Sequence, residues 1–88
     1  MTRTELATAS DTLESAADSA GDSADRLADL AGQLDQLAEA ERGPDHGRMA
    51  RIQTALNEIQ EAVDDETAAT IQDARTEISE YRSTVDGV

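Results

Sequence analysis

Residues 56–71, LNEIQEAVDDETAATI, determine whether the C-terminal half of this 88-residue chain is one helix or two. Apolar residues at 49, 52, 56, 59 and 63 keep the three- and four-residue spacing of a helix face. That spacing predicts apolar residues near 66 and 70, where polar ones stand, and Ile71 begins a register displaced by one. Asp64 and Asp65 lie at the discontinuity, and Asp is favoured at N-caps and in first turns. The pattern therefore predicts a break; the alternative is three helices with one long C-terminal helix.

Outward from this junction, the same spacing predicts four helices, over about residues 3–20, 23–42, 46–63 and 66–85. Asp22 and Asp45 are the expected N-caps of the second and third helices. Gly21 and the Gly43-Pro44 step are the expected terminators of the first and second. The predicted core is the set of apolar stripes: Leu6, Ala9, Leu13, Ala16, Ala20, Leu27, Leu30, Leu34, Leu37, Met49, Ile52, Leu56, Ile59, Val63, Ile71, Ala74, Ile78, Tyr81 and Val85.

Four helices of similar length with short connections favour an antiparallel up-down-up-down four-helix bundle, so the fold class is all-α and residues 1–88 form a single small helical domain. The first helix offers two large apolar residues where the others offer four or five, so its Ala-rich face buries area only by close approach. Such a thin core leads us to expect either a homodimer through the first helix or stability that depends on salt.

Charge is the second strong feature of the chain. It has 20 acidic residues against seven basic ones, all Arg, which gives a formal charge of −13. Self-repulsion on so small a body is relieved by concentrated salt, because the Debye length falls to about 3 Å at 1 M. The composition therefore predicts a halophilic protein of the cytoplasm, with hydrated cations around its acidic surface.

Several function classes are disfavoured by the residues present. A chain without Cys and with one His lacks a zinc ligand set, no nucleophile motif is present, and the Asp-rich windows do not match a calcium loop. We therefore expect no enzyme activity, catalytic residue, metal or cofactor. Nucleic acid and membrane surfaces both demand basic faces, which this chain lacks, and no segment has the roughly 18 consecutive apolar residues that span a bilayer.

The fold hypothesis places both chain termini beside the turn between the second and third helices. That end would gather a candidate binding cluster of Arg3, Arg42, His46, Arg48, Arg51, Tyr81 and Arg82. The opposite end would hold the acidic residues Asp22, Asp25, Asp64, Asp65 and Glu66 together with Arg26. Two interpretations stay open: the Arg residues pair with Glu39, Glu41 or Glu80 and complement helix dipoles, or they converge on an anion or an acidic partner.

A resemblance rests on residues 41–52, ERGPDHGRMARI, together with the opening MTRTEL and the closing YRSTVDGV. With these segments the chain resembles, over essentially its whole length, a family of small acidic haloarchaeal helical proteins of unknown function. The most distinctive portion is RGPDHGR at 42–48. The resemblance implies a haloarchaeal source and a small helical domain, and it carries over no activity, ligand or catalytic residue.

Three hypotheses of function remain at this point. The first and preferred one is a non-enzymatic helical protein-interaction module, which self-associates or binds a protein partner. The second is an acidic nucleic-acid mimic that occupies the basic groove of a DNA-binding protein. The third is a binder of a small anion at the Arg-rich end.

Overall fold

The computed structural model describes residues 4–39 and 46–85, with side chains up to residue 83. Within these ranges the chain forms four α-helices: α1 Thr4–Ala17, α2 Ala24–Glu39, α3 His46–Ala62 and α4 Asp65–Val85. A short 3-10 turn, Gly21–Ser23, precedes α2. The predicted break is confirmed, because α3 ends at Ala62 and α4 begins at Asp65. The alternative of one long C-terminal helix is wrong.

Contacts between side chains establish the antiparallel order of the helices. Ser10 of α1 contacts Ala31 of α2, and Thr12 of α1 contacts Glu77 of α4. Arg26 near the start of α2 contacts Glu58 near the end of α3, and α3 in turn contacts α4 along most of its length. Each helix thus lies beside its neighbours in the chain and α4 returns to α1, which confirms the up-down-up-down bundle.

The predicted apolar stripes form the core. Their members are buried, apart from Val63, which is half-buried against the core, and Val85, whose side chain lies outside the described residues. The sequence prediction missed four buried residues: Ser10, Ala31, Ala38 and Thr67. Among the described residues, no buried polar side-chain atom lacks a hydrogen-bond partner.

Helix α1 makes the closest backbone approaches in the bundle, to α2 on one side and α4 on the other. Its buried face consists of Leu6 and Leu13 with small residues between them, and small side chains allow two backbones to come together. At this contact the Ser10 hydroxyl donates to the Ala31 carbonyl oxygen at 2.8 Å. The Ala-rich face of α1 therefore buries its area within the bundle, as its composition predicts.

The connection between α1 and α2 depends on Gly21, which has φ +59°. An L side chain is strained in this left-handed region, so Gly21 suits the turn that follows residues 18–20, whereas α1 itself ends at Ala17 rather than near residue 20. The prediction that Asp22 caps α2 is wrong, because Asp22 lies inside the 3-10 turn. Gly32 does not mark a close approach: a Cβ built there meets nothing within 4 Å. Asp45, the expected N-cap of α3, lies outside the described residues.

Candidate functional site

Two members of the predicted Arg-rich cluster, Arg3 and Arg42, lie outside the described residues. His46 is the first residue of α3, and Arg82 lies in the last turn of α4. The Arg82 Nε donates to His46 Nδ1 at 3.2 Å in a partly buried contact. This bond requires an imidazole whose Nδ1 carries no proton. The structure thus brings together two of the predicted residues from two helices.

The other two Arg residues of the cluster lie on a different side of α3. Arg48 donates to Gln36 of α2 at 3.2 Å, and Arg51 is exposed. Positions 46 and 48 are about 200° apart around a helix axis, so their side chains do not face each other. Tyr81 is 5% exposed and belongs to the core rather than to the surface. The predicted cluster is therefore divided: His46 and Arg82 lie where α3 contacts α4, and Arg48 lies on the side of α3 that contacts α2.

Among the described residues, the most extensive polar network lies where α3 and α4 contact each other, a line we name the α3–α4 seam. At its centre is Arg75, whose guanidinium is held by three amide oxygens of α3. Its Nε donates to Gln53 at 2.9 Å, and its Nη1 donates to Asn57 at 3.2 Å and to Gln60. These three amides around Arg75 are called the amide clasp below.

The two glutamines of the clasp also bind the backbone of α4. Gln53 Nε2 donates to the Arg75 carbonyl oxygen at 3.1 Å, and Gln60 Nε2 donates to the Ala68 carbonyl oxygen at 3.0 Å. Both pairs are seven residues apart along their helices, so the same contact occurs twice, two turns apart. Each glutamine thus accepts from the guanidinium and donates to the main chain, which fixes its amide group in place.

Glu77 lies on the other side of α4, towards α1. Glu77 accepts a hydrogen bond from the Thr12 hydroxyl of α1 at 3.2 Å. Partial burial raises the pKa of Glu77, the hydrogen bond from Thr12 opposes this, and the negative charges of Asp73 and Glu80 raise it further. Helix α4 therefore presents amide and guanidinium groups to α3 and the Glu77 carboxylate to α1.

The opposite end of the bundle is acidic, as predicted. Asp64 caps α4 by accepting from the Thr67 backbone N–H at 2.8 Å. Hydrogen bonding from the Thr67 side chain, and then from its backbone N–H, lowers the pKa of Asp64. The Thr67 and Ser19 hydroxyl oxygens lie 3.1 Å apart, which joins the turn after α1 to the first turn of α4.

The two helical hairpins carry very different charge. Residues 4–39 contain nine acidic and one basic residue, a sum of −8, whereas residues 46–85 contain eight acidic and four basic residues, a sum of −4. The single basic residue of the first hairpin, Arg26, forms an ion pair with Glu58 of α3 at 2.9 Å. Both side chains are more than half exposed, so this pair contributes little to stability. Charge is thus sorted between the sides of the bundle as well as between its ends.

Sequence reasoning missed the amide clasp. The available signal was the spacing: residues 53, 57 and 60 share one face of α3, and residues 72, 75, 76 and 79 share one face of α4. In residues 4–39 and 46–83, no group of three or more His, Cys, Asp or Glu side chains is arranged to hold a metal ion. Nor does any helix of the described chain combine the length and apolar character needed to cross a bilayer.

Residues 1–84 match the model of a family described as "Family of unknown function (DUF7553)". The match covers nearly the whole chain, so the protein belongs to this family. No curated protein and no solved structure matches the chain significantly.

Proposed function

We propose that this member of the family is a non-enzymatic helical protein-interaction module. The observation that supports the proposal is the sorting of its surface: an acidic hairpin of −8 stands beside a seam in which Arg75 is held by neutral amides. Solubility alone requires a net charge and places no demand on how that charge is divided between the faces of a bundle. A surface divided in this way gives a partner one side to recognise and other sides that repel it.

The same proposal places the module in a salt-rich cytoplasm of a haloarchaeon. Twenty carboxylates, seven Arg residues and no Lys are the composition of a protein kept soluble and folded at high salt. We expect the helical content measured by circular dichroism to rise with KCl concentration, because screening removes repulsion within the acidic hairpin. A protein that is fully helical without added salt would contradict the repulsion argument.

Capture experiments test the module directly. The tagged protein is incubated with a haloarchaeal lysate at native salt, beside two variants that remove the same number of positive charges. One variant carries Arg48→Ala and Arg51→Ala, on the side of α3 towards α2, and the other carries Arg75→Ala and Arg82→Ala, on the seam. A stoichiometric partner that one variant loses and the other retains supports the proposal. If the wild type captures no protein above the level of an untagged control, the proposal fails.

The acidic hairpin supports a second candidate, a mimic of nucleic acid that binds a DNA-binding protein. Asp25, Asp29 and Asp35 are exposed along α2, and Arg26 is the one basic residue between positions 4 and 39. Such a mimic displaces DNA from its partner, and Asp→Asn changes on α2 weaken the displacement. A bait that captures a basic protein but does not compete with DNA for it contradicts this candidate.

Two narrower functions are separated from the module by simple measurements. A homodimer doubles the mass observed by sedimentation equilibrium in concentrated KCl. A small-anion binder shows saturable chemical-shift changes at His46 and Arg48 with phosphate alone. The structure argues against a small-anion binder, because His46 contacts α4 whereas Arg48 contacts α2.

A further inference from the structure

We propose that Arg75, in its amide clasp, is the point at which the module binds an acidic polypeptide segment through a carboxylate. This inference rests on the proposed function, because it names the surface and the chemistry of the partner. Arg75 lies at the middle of the α3–α4 seam, and its side chain is half-buried between the two helices.

The guanidinium of Arg75 is held in place without being neutralised. Its Nε and Nη1 donate to three neutral amide oxygens, and within the described part of the chain no carboxylate lies within 4 Å of it. In a chain with 20 carboxylates, an oriented cation with only amide partners is unexpected. Its second terminal nitrogen, Nη2, has no acceptor among the residues in the two described ranges.

Preorganisation makes such a group suitable for recognition. An Arg side chain in solution loses rotamer freedom when it binds, whereas the clasp has already fixed this one. The clasp occupies the hydrogens of Nε and Nη1 and leaves Nη2 to donate to a carboxylate, and charge-assisted bonds are roughly twice as strong as neutral ones. Beside it, the exposed Asn57 side chain accepts from Arg75, and its NH2 group has no acceptor among the described residues. A carboxylate at this point therefore meets donors from both helices.

A second cation on the same seam, Arg82, defines the line along which the bound acidic segment would lie. Arg82 lies seven residues after Arg75 on α4, so the two residues share one helix face about 10.5 Å apart along the axis. That separation suits carboxylates three residues apart in a polyproline II chain, which has three residues per turn, or seven apart in a helix, at roughly 3.1 Å and 1.5 Å per residue. In the other direction the seam meets Glu61, Asp64 and Asp65, which repel an acidic segment. The binding surface therefore runs from Arg75 towards Arg82.

The test is a titration followed by NMR with a short synthetic peptide that has Glu at every third position. The solution contains about 0.5 M KCl, where the Debye length is roughly 4 Å and long-range repulsion is screened. We expect saturable shifts of the Arg75 and Arg82 Nε–H and Asn57 NH2 resonances. The same peptide with Gln in place of Glu is the control for charge, and it should leave these resonances unchanged.

Matched variants locate the binding to Arg75. Arg75→Gln and Arg51→Gln both remove one positive charge from the α3–α4 hairpin, but Arg51 is exposed and lies outside the clasp. We expect Arg75→Gln to raise the Kd about tenfold or more, which corresponds to about 1.4 kcal/mol of binding free energy. Arg51→Gln should leave the Kd within about twofold. Arg82→Gln, which leaves the clasp intact, should weaken binding by a smaller factor, and it keeps the test valid if Arg75→Gln unfolds.

Three results overturn the proposal. The first is equal weakening by Arg75→Gln and Arg51→Gln, which would mean that only net charge matters. The second is the same set of shifts with free acetate or inorganic phosphate at matched charge, which would mean a small-anion site. The third is no binding of the Glu peptide to the wild type. If the capture experiment still yields a partner in that last case, the module stands and only this assignment of its surface is wrong.

Discussion

The α1–α2 interface and the α3–α4 seam both join antiparallel helices, but they do so by opposite means. Between α1 and α2 the backbones are close, small side chains are buried, and the Ser10 hydroxyl reaches the Ala31 carbonyl oxygen. Between α3 and α4 the backbones are further apart, and Gln53 and Gln60 span the gap with their amides. Small residues thus bring two helices together and leave no room for a polar network, whereas long amides hold them apart and create one. This difference explains why the candidate binding surface lies on the second hairpin.

The largest expected effect tests the close approach of α1 and α2. Ala31 is 0% exposed, so Ala31→Leu forces three additional heavy atoms into a contact that has no space for them. We expect a loss of about 2–3 kcal/mol in the free energy of unfolding, measured by urea at constant KCl. Ala28→Leu on the exposed face of the same helix is the matched control and should stay within about 0.5 kcal/mol. Equal effects of the two changes would mean that α2 is not closely packed on α1.

The next effect tests the amide clasp. Arg75→Met keeps most of the aliphatic length and removes the guanidinium, which leaves the oxygens of Gln53 and Gln60 without their donor. We expect a loss of about 1–2 kcal/mol, because hydrogen bonds to charged groups are stronger than neutral ones but this site is half exposed. Arg51→Met, at an exposed position of α3, should change stability by less than about 0.5 kcal/mol. If Arg75→Met is equally neutral, the clasp is not part of what holds the two helices together.

The two glycines of the first hairpin provide a third test, in which the same substitution by Ala should lower stability at one position and raise it at the other. Gly21→Ala places a Cβ at φ +59° and should cost about 1–2 kcal/mol. Gly32→Ala adds a methyl group in open space within a helix and should stabilise the protein by about 0.5–1 kcal/mol. Thermal unfolding of both variants in the same KCl buffer measures the difference. Two changes of the same sign would contradict the backbone geometry assigned to one of the two positions.

The sequence predicted the features that follow from helical periodicity. The apolar stripes located the core, and the change of register before Ile71, together with Asp64, located the break between α3 and α4. The buried alanines at 31 and 38 were missed because alanine is a weak apolar signal, and only the proximity of α1 shows that they are covered. Periodicity within one helix does not reveal how far apart two helices lie.

The candidate site was harder to predict for the same reason. The prediction groups Arg48 with His46 because both lie at the end of the bundle beside the turn between α2 and α3, although positions two residues apart face different directions on a helix. Arg75 was overlooked because its partners come from α3, 15 to 22 residues away along the chain. A complementary spacing of amides on one helix and Arg on the next was the available clue. It becomes interpretable only once the two helices are known to pair in this register.

The smallest expected effect concerns Glu77, the carboxylate that α4 turns towards α1. Partial burial raises its pKa in the folded state, so the folded protein binds this proton more tightly than the unfolded chain. The charged form therefore lowers stability above the raised pKa, and the penalty disappears as the pH falls below roughly 4, where both states are protonated. Glu77→Gln keeps an oxygen that accepts from Thr12 and removes the charge. We expect it to be more stable than the wild type near neutral pH by at most about 0.5 kcal/mol, and equal to it in acid.

The matched control for this change is Glu14→Gln, at an exposed position of α1. It removes one negative charge from the same total of −13, so it measures the general relief of repulsion. Concentrated KCl screens the general repulsion between negative charges, but it does not remove the cost of burying the Glu77 carboxylate between α1 and α4. An excess of Glu77→Gln over Glu14→Gln that persists with salt and vanishes in acid therefore assigns the effect to the α1–α4 contact. If the two variants gain the same stability and lose it together in salt, the position of Glu77 against α1 contributes nothing of its own.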